Sequence, residues 1–274
     1  MPPPAPRVDA ELPPFSRWLY GWFMAYVRRS FRRHFHALRV LKDSGGGSGL
    51  PEIAGRPVVF YTNHPGWWDP LIFLLVAERA FPGRLNYGPI DARALGRYRF
   101  LERIGFLGID PHSRQGAARF LRLARAAGRR TDVAFWITAQ GTFTDPRSRP
   151  VRLRPGVAHV AAAADSAIFI PVAVEYPFWN ERLPEAVIAF GPPLEPAAHP
   201  ASVEAWLERL EAALTTTQDR LAAAAMSRDP RAFTRMQAGD AGVHWAYDAW
   251  RRLAAWRRGE RFDPSHAGDA EERS

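Results

Sequence analysis

The chain has 274 residues, no cysteine and a formal net charge of +9, with 37 Lys and Arg against 28 Asp and Glu. This length allows one large α/β domain with helical additions, and the lack of cysteine excludes disulfides, thiolate metal sites and a cysteine nucleophile. Lys42 is the only lysine, so arginine carries the positive charge, which suits nucleic acid, anionic lipid or acidic small molecules as partners.

The N-terminal region combines a proline-rich tail with an amphipathic segment. Residues 1–14 are predicted to be a disordered tail without the apolar region of a signal peptide. Residues 15–43 are predicted to form one helix, because apolar side chains recur every three or four residues. These side chains are Phe15, Trp18, Leu19, Trp22, Phe23, Tyr26, Val27, Phe31, Phe35 and Leu38. Flanking arginines are typical of a helix that lies in a lipid interface; the alternative is a helix that packs its aromatic face onto the core.

A glycine-rich segment, residues 44–49, is predicted to be a flexible linker to an α/β domain over residues 50–200. The predicted strands are 57–62, 85–89, 105–110, 132–138, 167–176 and 186–190, and the predicted helices are 70–79, 92–104, 114–128 and 156–165. Their alternation predicts a mixed, largely parallel sheet flanked by helices. Residues 201–274 are predicted to be a helical extension packed on the same domain, with a helix over 202–225 and a last one from near Val243.

The most informative segment is the end of the first predicted strand of this domain, where Asn63 and His64 precede a turn and Asp69. Asp69 is predicted to be both the N-cap of the next helix and the carboxylate partner of His64. A histidine oriented in this way can remove a proton near neutral pH. No nucleophile lies beside it, which favours direct deprotonation of a substrate hydroxyl. The alternative is that Asp69 only caps the helix and His64 is a polar residue at a strand end.

The pattern Asn63-His64-x-x-x-x-Asp69 resembles the first motif of the glycerolipid acyltransferase family, typified by 1-acylglycerol-3-phosphate acyltransferase. Later segments resemble the family's other motifs in the same order, and the resemblance spans roughly residues 50–195. These segments are 105–110, 135–142 with Gln140-Gly141-Thr142 at its end, 154–156 and 170–172.

The resemblance implies a mechanism in which His64 takes the proton of an acceptor hydroxyl and Asp69 orients His64. The alkoxide then attacks the thioester of acyl-CoA or acyl-carrier protein, which serves as a co-substrate, so no cofactor is expected. The backbone around Gly141 and Thr142 is the candidate donor to the tetrahedral oxyanion. The predicted substrate-binding residues are Asn63, Gln140, Gly141, Thr142, Arg114, Arg147 and Arg154.

Two departures from the family pattern leave the acceptor open. Gln140 stands where the family carries Glu, and Pro111 stands where it carries an Arg, with Arg114 three residues later. Loop arginines can supply replacement phosphate contacts, or they can form a solvated basic loop; they are Arg147, Arg149, Arg152 and Arg154. Lysophosphatidic acid or another lysophospholipid is the first expectation. An ornithine lipid, a glycosylated isoprenoid, or a non-catalytic membrane-binding role on the same scaffold are the alternatives.

The expected partners are a membrane surface with anionic lipid, an acyl thioester donor and a lipid acceptor. The arginines are not interleaved into a recognisable nucleic-acid module, so no nucleic acid is expected, and no metal-ligand spacing is present. No stretch approaches the ~18 apolar residues that span a bilayer. The expected location is therefore the cytoplasmic face of the membrane, as a peripheral or monotopic protein. Tryptophans near the C-terminus, at positions 245, 250 and 256, are a candidate second contact.

Overall fold

One mixed sheet organises the computed structural model, which describes residues 11–43, 45–53, 55–196 and 202–240. Its strands are β1 Ala37–Leu41, β2 Val58–Thr62, β3 Leu85–Asp91, β4 Phe106–Ile109, β5 Val133–Thr138, β6 Ile168–Glu175, β7 Glu185–Phe190 and β8 Phe233–Ala238. Their order is β4-β3-β5-β2-β6-β7-β1-β8. The pairs β6/β7 and β1/β8 are antiparallel and the others are parallel, which confirms the predicted fold class.

Helices cover both faces of the sheet. They are α1 Arg17–His34, α2 Asp69–Ala80, α3 Ala92–Arg97, α4 Arg114–Ala127, α5 Gly156–Ala162 and α6 Val203–Ser227, with 3-10 turns at Arg99–Ile104 and Pro230–Ala232. Side chains of β2 alternate between the two cores: Phe60 packs with α1 and α2, and Tyr61 packs on the face that carries α6. Because both faces are covered, β2 is a continuous apolar run, and its carboxyl end lies centrally in the sheet between β5 and β6.

The predicted helix over 15–43 is wrong in its second part, because α1 ends at His34 and residues 37–41 form β1. The apolar spacing of Phe31, Phe35 and Leu38 also fits a buried strand, and all five residues of β1 are buried. Ala37 pairs with Glu185 in β7 and with Ala238 in β8. Long-range pairing therefore overrides the local helical periodicity in this segment.

The glycine segment that follows β1 connects two strands of the same sheet. The Asp43 carboxylate accepts hydrogen bonds from the N–H groups of Gly45 and Gly47. Gly49 has a φ of +71°, and a Cβ at this position would lie 1.9 Å from the carbonyl oxygen of Leu41, so only glycine fits there. The segment is thus a turn folded around Asp43, and α1 and β1 belong to the same fold as the predicted α/β domain.

Two further differences concern the ends of the predicted elements. The helix predicted over 92–104 is split at Tyr98 into α3 and a 3-10 turn. The C-terminal extension contains α6, as predicted, but also β8, which pairs with β1. Residues 1–10 of the predicted disordered tail, the helix predicted from Val243 and its tryptophans lie outside the described residues. The tail prediction is wrong for residues 11–14, because Leu12 packs on the core and the Pro13 carbonyl accepts the hydroxyl of Tyr87 at 2.7 Å.

Helix α1 has one buried face and one exposed aromatic face. Phe23, Met24, Val27 and Phe31 pack into the core. On the other side, the exposed fractions of Trp18, Trp22 and Tyr26 are 80%, 61% and 56%. The aromatic stripe predicted from sequence is therefore divided between core and solvent. Within the described ranges, no helix is long and apolar enough to cross a membrane.

Candidate active site

Asn63, the first residue after β2, is fully buried and holds the turn to the neighbouring strand. Its amide nitrogen donates to the carbonyl of Val174 and its amide oxygen accepts the Val174 N–H, both at 2.9 Å. With an exposed fraction of 0%, this side chain offers no surface to a ligand. Asn63 therefore braces the start of the turn.

His64 and Asp69 face each other across the turn that Asn63 begins. The imidazole Nδ1 lies 2.6 Å from Asp69 Oδ2. Asp69 is fully buried, whereas 17% of the His64 side chain is exposed. A carboxylate only accepts hydrogen bonds, so Nδ1 carries a proton, and in the neutral imidazole Nε2 is the nitrogen with the free lone pair. The predicted pair, called the dyad below, is thus assembled as a base, His64, oriented by the carboxylate of Asp69.

The prediction that Asp69 caps α2 is wrong. Trp68 occupies the N-cap position and makes no side-chain capping bond, and Asp69 is the first helical residue. Both carboxylate oxygens are used elsewhere: Oδ2 accepts from His64 and, at 3.3 Å, from the N–H of Gly66. Oδ1 accepts from the hydroxyl of Tyr176 at 2.5 Å. The carboxylate is therefore committed to the turn and not to the helix end.

Tyr176 is a member of the site that sequence reasoning missed. It directly follows β6, which neighbours β2, so it reaches Asp69 from the next strand. Burial, together with the charge and hydrogen bond of Asp69, raises the pKa of Tyr176 well above its ordinary value. The phenol therefore stays protonated and donates to the carboxylate. The available signal was a hydroxyl-bearing residue at the carboxyl end of the strand predicted over 167–176.

The loop after β5 clamps His64 from the other side. Gln140 Oε1 accepts the His64 N–H at 2.9 Å, and the N–H of Thr144 donates to the His64 carbonyl at 2.9 Å. The ring of Phe143 lies 4.6 Å from the imidazole, centroid to centroid. Gln140 is largely buried. It thus holds the backbone of the histidine through Oε1.

Gly141 and Arg154 lie in close contact behind this loop. Gly141 has a φ of +67°, and a Cβ there would lie 2.5 Å from Nε of Arg154. The N–H of Gly141 donates to the Thr138 carbonyl at 3.1 Å, so it is engaged in a turn. The N–H of Thr142, by contrast, has no acceptor in the part of the chain that the structure describes. Of the two predicted oxyanion donors, Thr142 alone keeps an available N–H.

The structure sorts the predicted phosphate-binding arginines by their partners. Arg147 pairs with the buried Glu175 at 3.2 Å, Arg152 pairs with Glu211 at 3.3 Å, and Arg149 pairs with Asp219. For Arg154 and Arg114, no acidic partner is found among the described residues. Arg154 lies beside Gly141, in the loop after β5 that holds His64. Arg114 begins α4 after β4, three strand spacings from β2, or about 14 Å.

A small apolar cavity of about 50 Å³, open to solvent, lies between α2 and the sheet. Its lining includes Pro70, Phe73, Trp136, Phe106 and Thr138. Pro70 directly follows Asp69, and Thr138 is in register with Thr62, two residues before His64. One end of the cavity therefore lies next to the dyad. Its lining is mostly apolar, so it suits an apolar group rather than a charged one.

The arrangement can perform one kind of chemistry directly. His64 can take a proton through Nε2, Asp69 can stabilise the resulting imidazolium, and Thr142 offers a backbone donor near the same loop. Within the described ranges, no group of three His, Asp or Glu side chains could hold a metal ion. The geometry is that of an oriented general base beside an apolar cavity.

Comparison with known proteins agrees with this geometry. A family model described as Acyltransferase matches residues 34–175, more than half of the chain. Six chains of known structure match. One is the crystal structure of the 1-acyl-sn-glycerophosphate (LPA) acyltransferase PlsC from Thermotoga maritima, with a TM-score of 0.50 and 13% identity over 74% of this chain and 80% of that chain. At this identity the likeness concerns the fold. No curated protein matches the sequence.

Proposed function

The chain belongs to the acyltransferase family, and we propose that it moves a fatty acyl group from an acyl thioester to a hydroxyl of a lipid acceptor, lysophosphatidic acid or another lysophospholipid. The observation that carries this proposal is the 2.6 Å contact between His64 Nδ1 and the buried Asp69 carboxylate. It leaves Nε2 of His64 as a base at the carboxyl edge of the sheet, beside an apolar cavity.

The reaction uses the dyad twice. His64 Nε2 takes the proton of the acceptor hydroxyl while that oxygen bonds to the thioester carbonyl carbon. The tetrahedral oxyanion then accepts a hydrogen bond from the N–H of Thr142. When the C–S bond breaks, the imidazolium returns its proton to the leaving thiolate of CoA or carrier protein. Asp69 stabilises the imidazolium between these steps, and no acyl-enzyme forms.

We assign the apolar cavity to the fatty chain of the donor. It is lined by aromatic and aliphatic side chains of α2, β3, β5 and the 3-10 turn at Arg99–Ile104, and it ends near Asp69. A chain in this cavity would place its thioester beside His64. Burial of each methylene that enters the cavity contributes about 0.8 kcal/mol.

The phosphate of the acceptor has two candidate partners. Arg154 and Arg114 are the site arginines without an acidic partner among the described residues, and Arg154 packs on the same loop that holds His64. An ion-paired arginine must first give up its carboxylate, which makes Arg147, Arg149 and Arg152 poorer candidates. Because Gln140 is engaged with His64 and Pro111 replaces a family arginine, acceptors without phosphate, an ornithine lipid or a glycosylated isoprenoid, belong in the same assay.

We further propose that the protein works at a membrane surface, on the cytoplasmic side, as a peripheral or monotopic enzyme. Trp18, Trp22 and Tyr26 are exposed on α1, and isolated solvent-facing aromatics of this kind suit the headgroup level. Arg29, Arg32 and Arg33 are exposed on the same helix and would favour anionic lipid. Trp67 and Phe143, next to His64, are also more than half exposed, which makes the mouth of the site apolar.

The test is an acyl-transfer assay with labelled acyl-CoA and acyl-carrier protein against lysophosphatidic acid, other lysophospholipids, a lyso-ornithine lipid and a glycosylated isoprenoid. Products are identified by mass spectrometry. His64→Ala should lower kcat by about 10²–10⁴-fold. His159→Ala, at an exposed histidine on α5, is the matched control and should match wild type. A wild-type protein without transfer to any acceptor would contradict the proposal and favour a non-catalytic role. An equally active His64→Ala variant would contradict the role of His64 as the base.

A further inference from the structure

Tyr176 holds the oxygen of Asp69 that His64 does not use. Its hydroxyl lies 2.5 Å from Oδ1, while His64 Nδ1 lies 2.6 Å from Oδ2. We propose that Tyr176 is a positioning residue of the proposed acyl transfer, and that its hydroxyl fixes the Asp69 carboxylate in the plane that aligns the His64 imidazole. The inference rests on the proposed function for its role in catalysis, but the hydrogen bond itself can be tested separately.

A positioning role follows from the torsional freedom of a carboxylate. Rotation about the terminal bond of an aspartate is only weakly restricted, so one hydrogen bond to His64 does not fix the plane of the group. The Gly66 N–H adds a longer contact of 3.3 Å to the same oxygen, Oδ2. Tyr176 supplies the strong donor to the opposite oxygen. With both oxygens held, the carboxylate presents one edge to Nδ1 and the imidazole cannot tilt freely.

The surroundings of Tyr176 hold its ring in place without help from the hydroxyl. The ring centroid of Phe35 lies 5.6 Å from that of Tyr176, and Phe35 also packs edge-on against Trp68 at 5.1 Å. A Cβ on Gly66 would be 3.9 Å from the Tyr176 ring. Tyr176→Phe should therefore keep these ring contacts and remove only the O–H group.

The hydroxyl also moderates the charge of the buried carboxylate. The ionisable groups that contact Asp69 are His64 and Tyr176; Glu175 points to the opposite face of β6 and pairs with Arg147. A donor to Oδ1 shares the negative charge of Asp69, so its removal leaves more of that charge directed at the imidazole. The protonated imidazole is then favoured. As pH falls, the neutral imidazole that acts as the base is therefore lost at a higher pH than in wild type.

The experiment compares Tyr176→Phe with Tyr61→Phe. Tyr61 is the matched control, because it is a buried tyrosine in β2 whose hydroxyl donates to the Leu210 carbonyl on the other side of the sheet. For Tyr176→Phe we expect kcat to fall about 10-fold, as for loss of a hydrogen bond to a charged group, with KM within about twofold. The acid limb of the kcat/KM profile should move to higher pH. Tyr61→Phe should leave both kcat and the acid limb unchanged.

Two further measurements keep the inference separable from the proposed function and from misfolding. The downfield ¹H NMR signal of the His64 Nδ1 proton should shift in Tyr176→Phe and not in Tyr61→Phe, whether or not an acceptor has been found. If Tyr176→Phe does not fold, fluorotyrosine at position 176, a stronger donor, should move the acid limb to lower pH. An unchanged NMR signal, or wild-type kcat with an unchanged acid limb, would overturn the inference.

Discussion

The side-chain oxygen of Gln140 lies 2.9 Å from the backbone nitrogen of His64 and accepts its N–H. This bond joins the loop after β5 to the residue after β2, so the histidine is held by its main chain as well as by Asp69. Glutamine and glutamate both offer an acceptor at this position. The neutral amide therefore preserves the clamp that a carboxylate at the same place could make, without adding a negative charge beside the dyad.

Two substitutions of Gln140 separate the effect of its hydrogen-bond acceptor from the effect of a charge at this position. Gln140→Glu keeps an oxygen for the His64 N–H, and we expect its kcat to stay within about threefold of wild type. Gln140→Leu leaves the partly buried N–H of His64 without an acceptor, at a cost of about 1–3 kcal/mol, and should lower kcat about 10-fold. Steady-state kinetics and thermal unfolding of the two variants provide the measurement. Equal activity of Gln140→Leu and Gln140→Glu would show that the clamp does not matter.

The partners of the loop arginines predict which of them binds the acceptor. Arg154→Gln should raise KM for a phosphate-bearing acceptor about 10-fold, since a charge-assisted hydrogen bond is worth about 1.5–3 kcal/mol. Arg152→Gln is the control, because Arg152 is already paired with Glu211 and should give KM within about twofold of wild type. A similar KM for both variants, or an equal loss with a phosphate-free acceptor, would speak against a phosphate contact of Arg154.

The exposed face of α1 can be tested without disturbing its buried face. We expect the variant with Trp18, Trp22 and Tyr26 all changed to Ser to bind anionic vesicles at least about 10-fold more weakly, because each aromatic side chain contributes about 1.5–3 kcal/mol when it is buried. Vesicle flotation measures binding, and an unchanged melting temperature shows that the fold is kept. Met226→Ser, at an exposed apolar residue on α6, is the control. Undiminished flotation of the triple variant would place the lipid contact elsewhere.

Substitutions are needed here because truncation would damage the domain. Phe23 and Met24 of α1 belong to the core, and β1 lies inside the sheet between β7 and β8. Removing residues 1–42 would therefore take away a strand and part of the core together with the aromatic face. Loss of vesicle binding after such a deletion would report unfolding as readily as the loss of a membrane contact.

The buried carboxyl of Glu175 should make the free energy of unfolding depend on pH. Burial raises the pKa of its carboxyl above 4.5, although Arg147 opposes the shift. The folded state thus holds this proton more tightly than the unfolded chain. Below the pKa that Glu175 has in the unfolded chain, the carboxyl is neutral in both states and its burial does not lower stability through ionisation. As pH rises from that value through the raised pKa, ionisation makes folding less favourable. Glu175→Gln should therefore increase the melting temperature, relative to wild type, more at pH 8 than at pH 4.

A second carboxyl gives the matched control for Glu175, with the opposite sign. The hydrogen bond from Arg56 lowers the pKa of Glu195, so its ionised form favours folding at high pH. Glu195→Gln should lower the melting temperature slightly more at pH 8 than at pH 4, since the pair is exposed. Calorimetry at both pH values decides. The same sign for both variants would contradict the assignment of burial as the dominant effect at Glu175.

The elements that sequence predicted well are those with a local cause. The run of apolar residues over β2, the turn after it and the start of α2 lie within about a dozen consecutive residues, and they carry the His64–Asp69 pair. The strands β1 and β8 were missed because their stabilising contacts are distant: Ala37 pairs with Glu185 and with Ala238. Five residues of buried strand and a turn and a half of helix have similar apolar patterns.

The same reasoning explains the incomplete prediction of the site. Tyr176 is separated from Asp69 by 107 positions, and its contact depends on β6 lying next to β2, which the sequence did not reveal. The ion pairs of Arg149 and Arg152 involve Asp219 and Glu211 on α6, so a loop that looked uniformly basic is largely neutralised by a helix that follows it in sequence. The roles of Asn63 and Gln140 also depended on tertiary hydrogen bonds.

The position of β1 has a consequence for how the protein is made. Its two partner strands come from residues 185–190 and 233–238, so β1 leaves the ribosome long before either of them exists. At ~5–20 residues per second, translation of the intervening chain takes roughly 10 to 40 s. During that interval α1, with its solvent-facing tryptophans, is already synthesised. The order of synthesis thus allows the nascent chain to meet a lipid surface before the catalytic half of the sheet is complete.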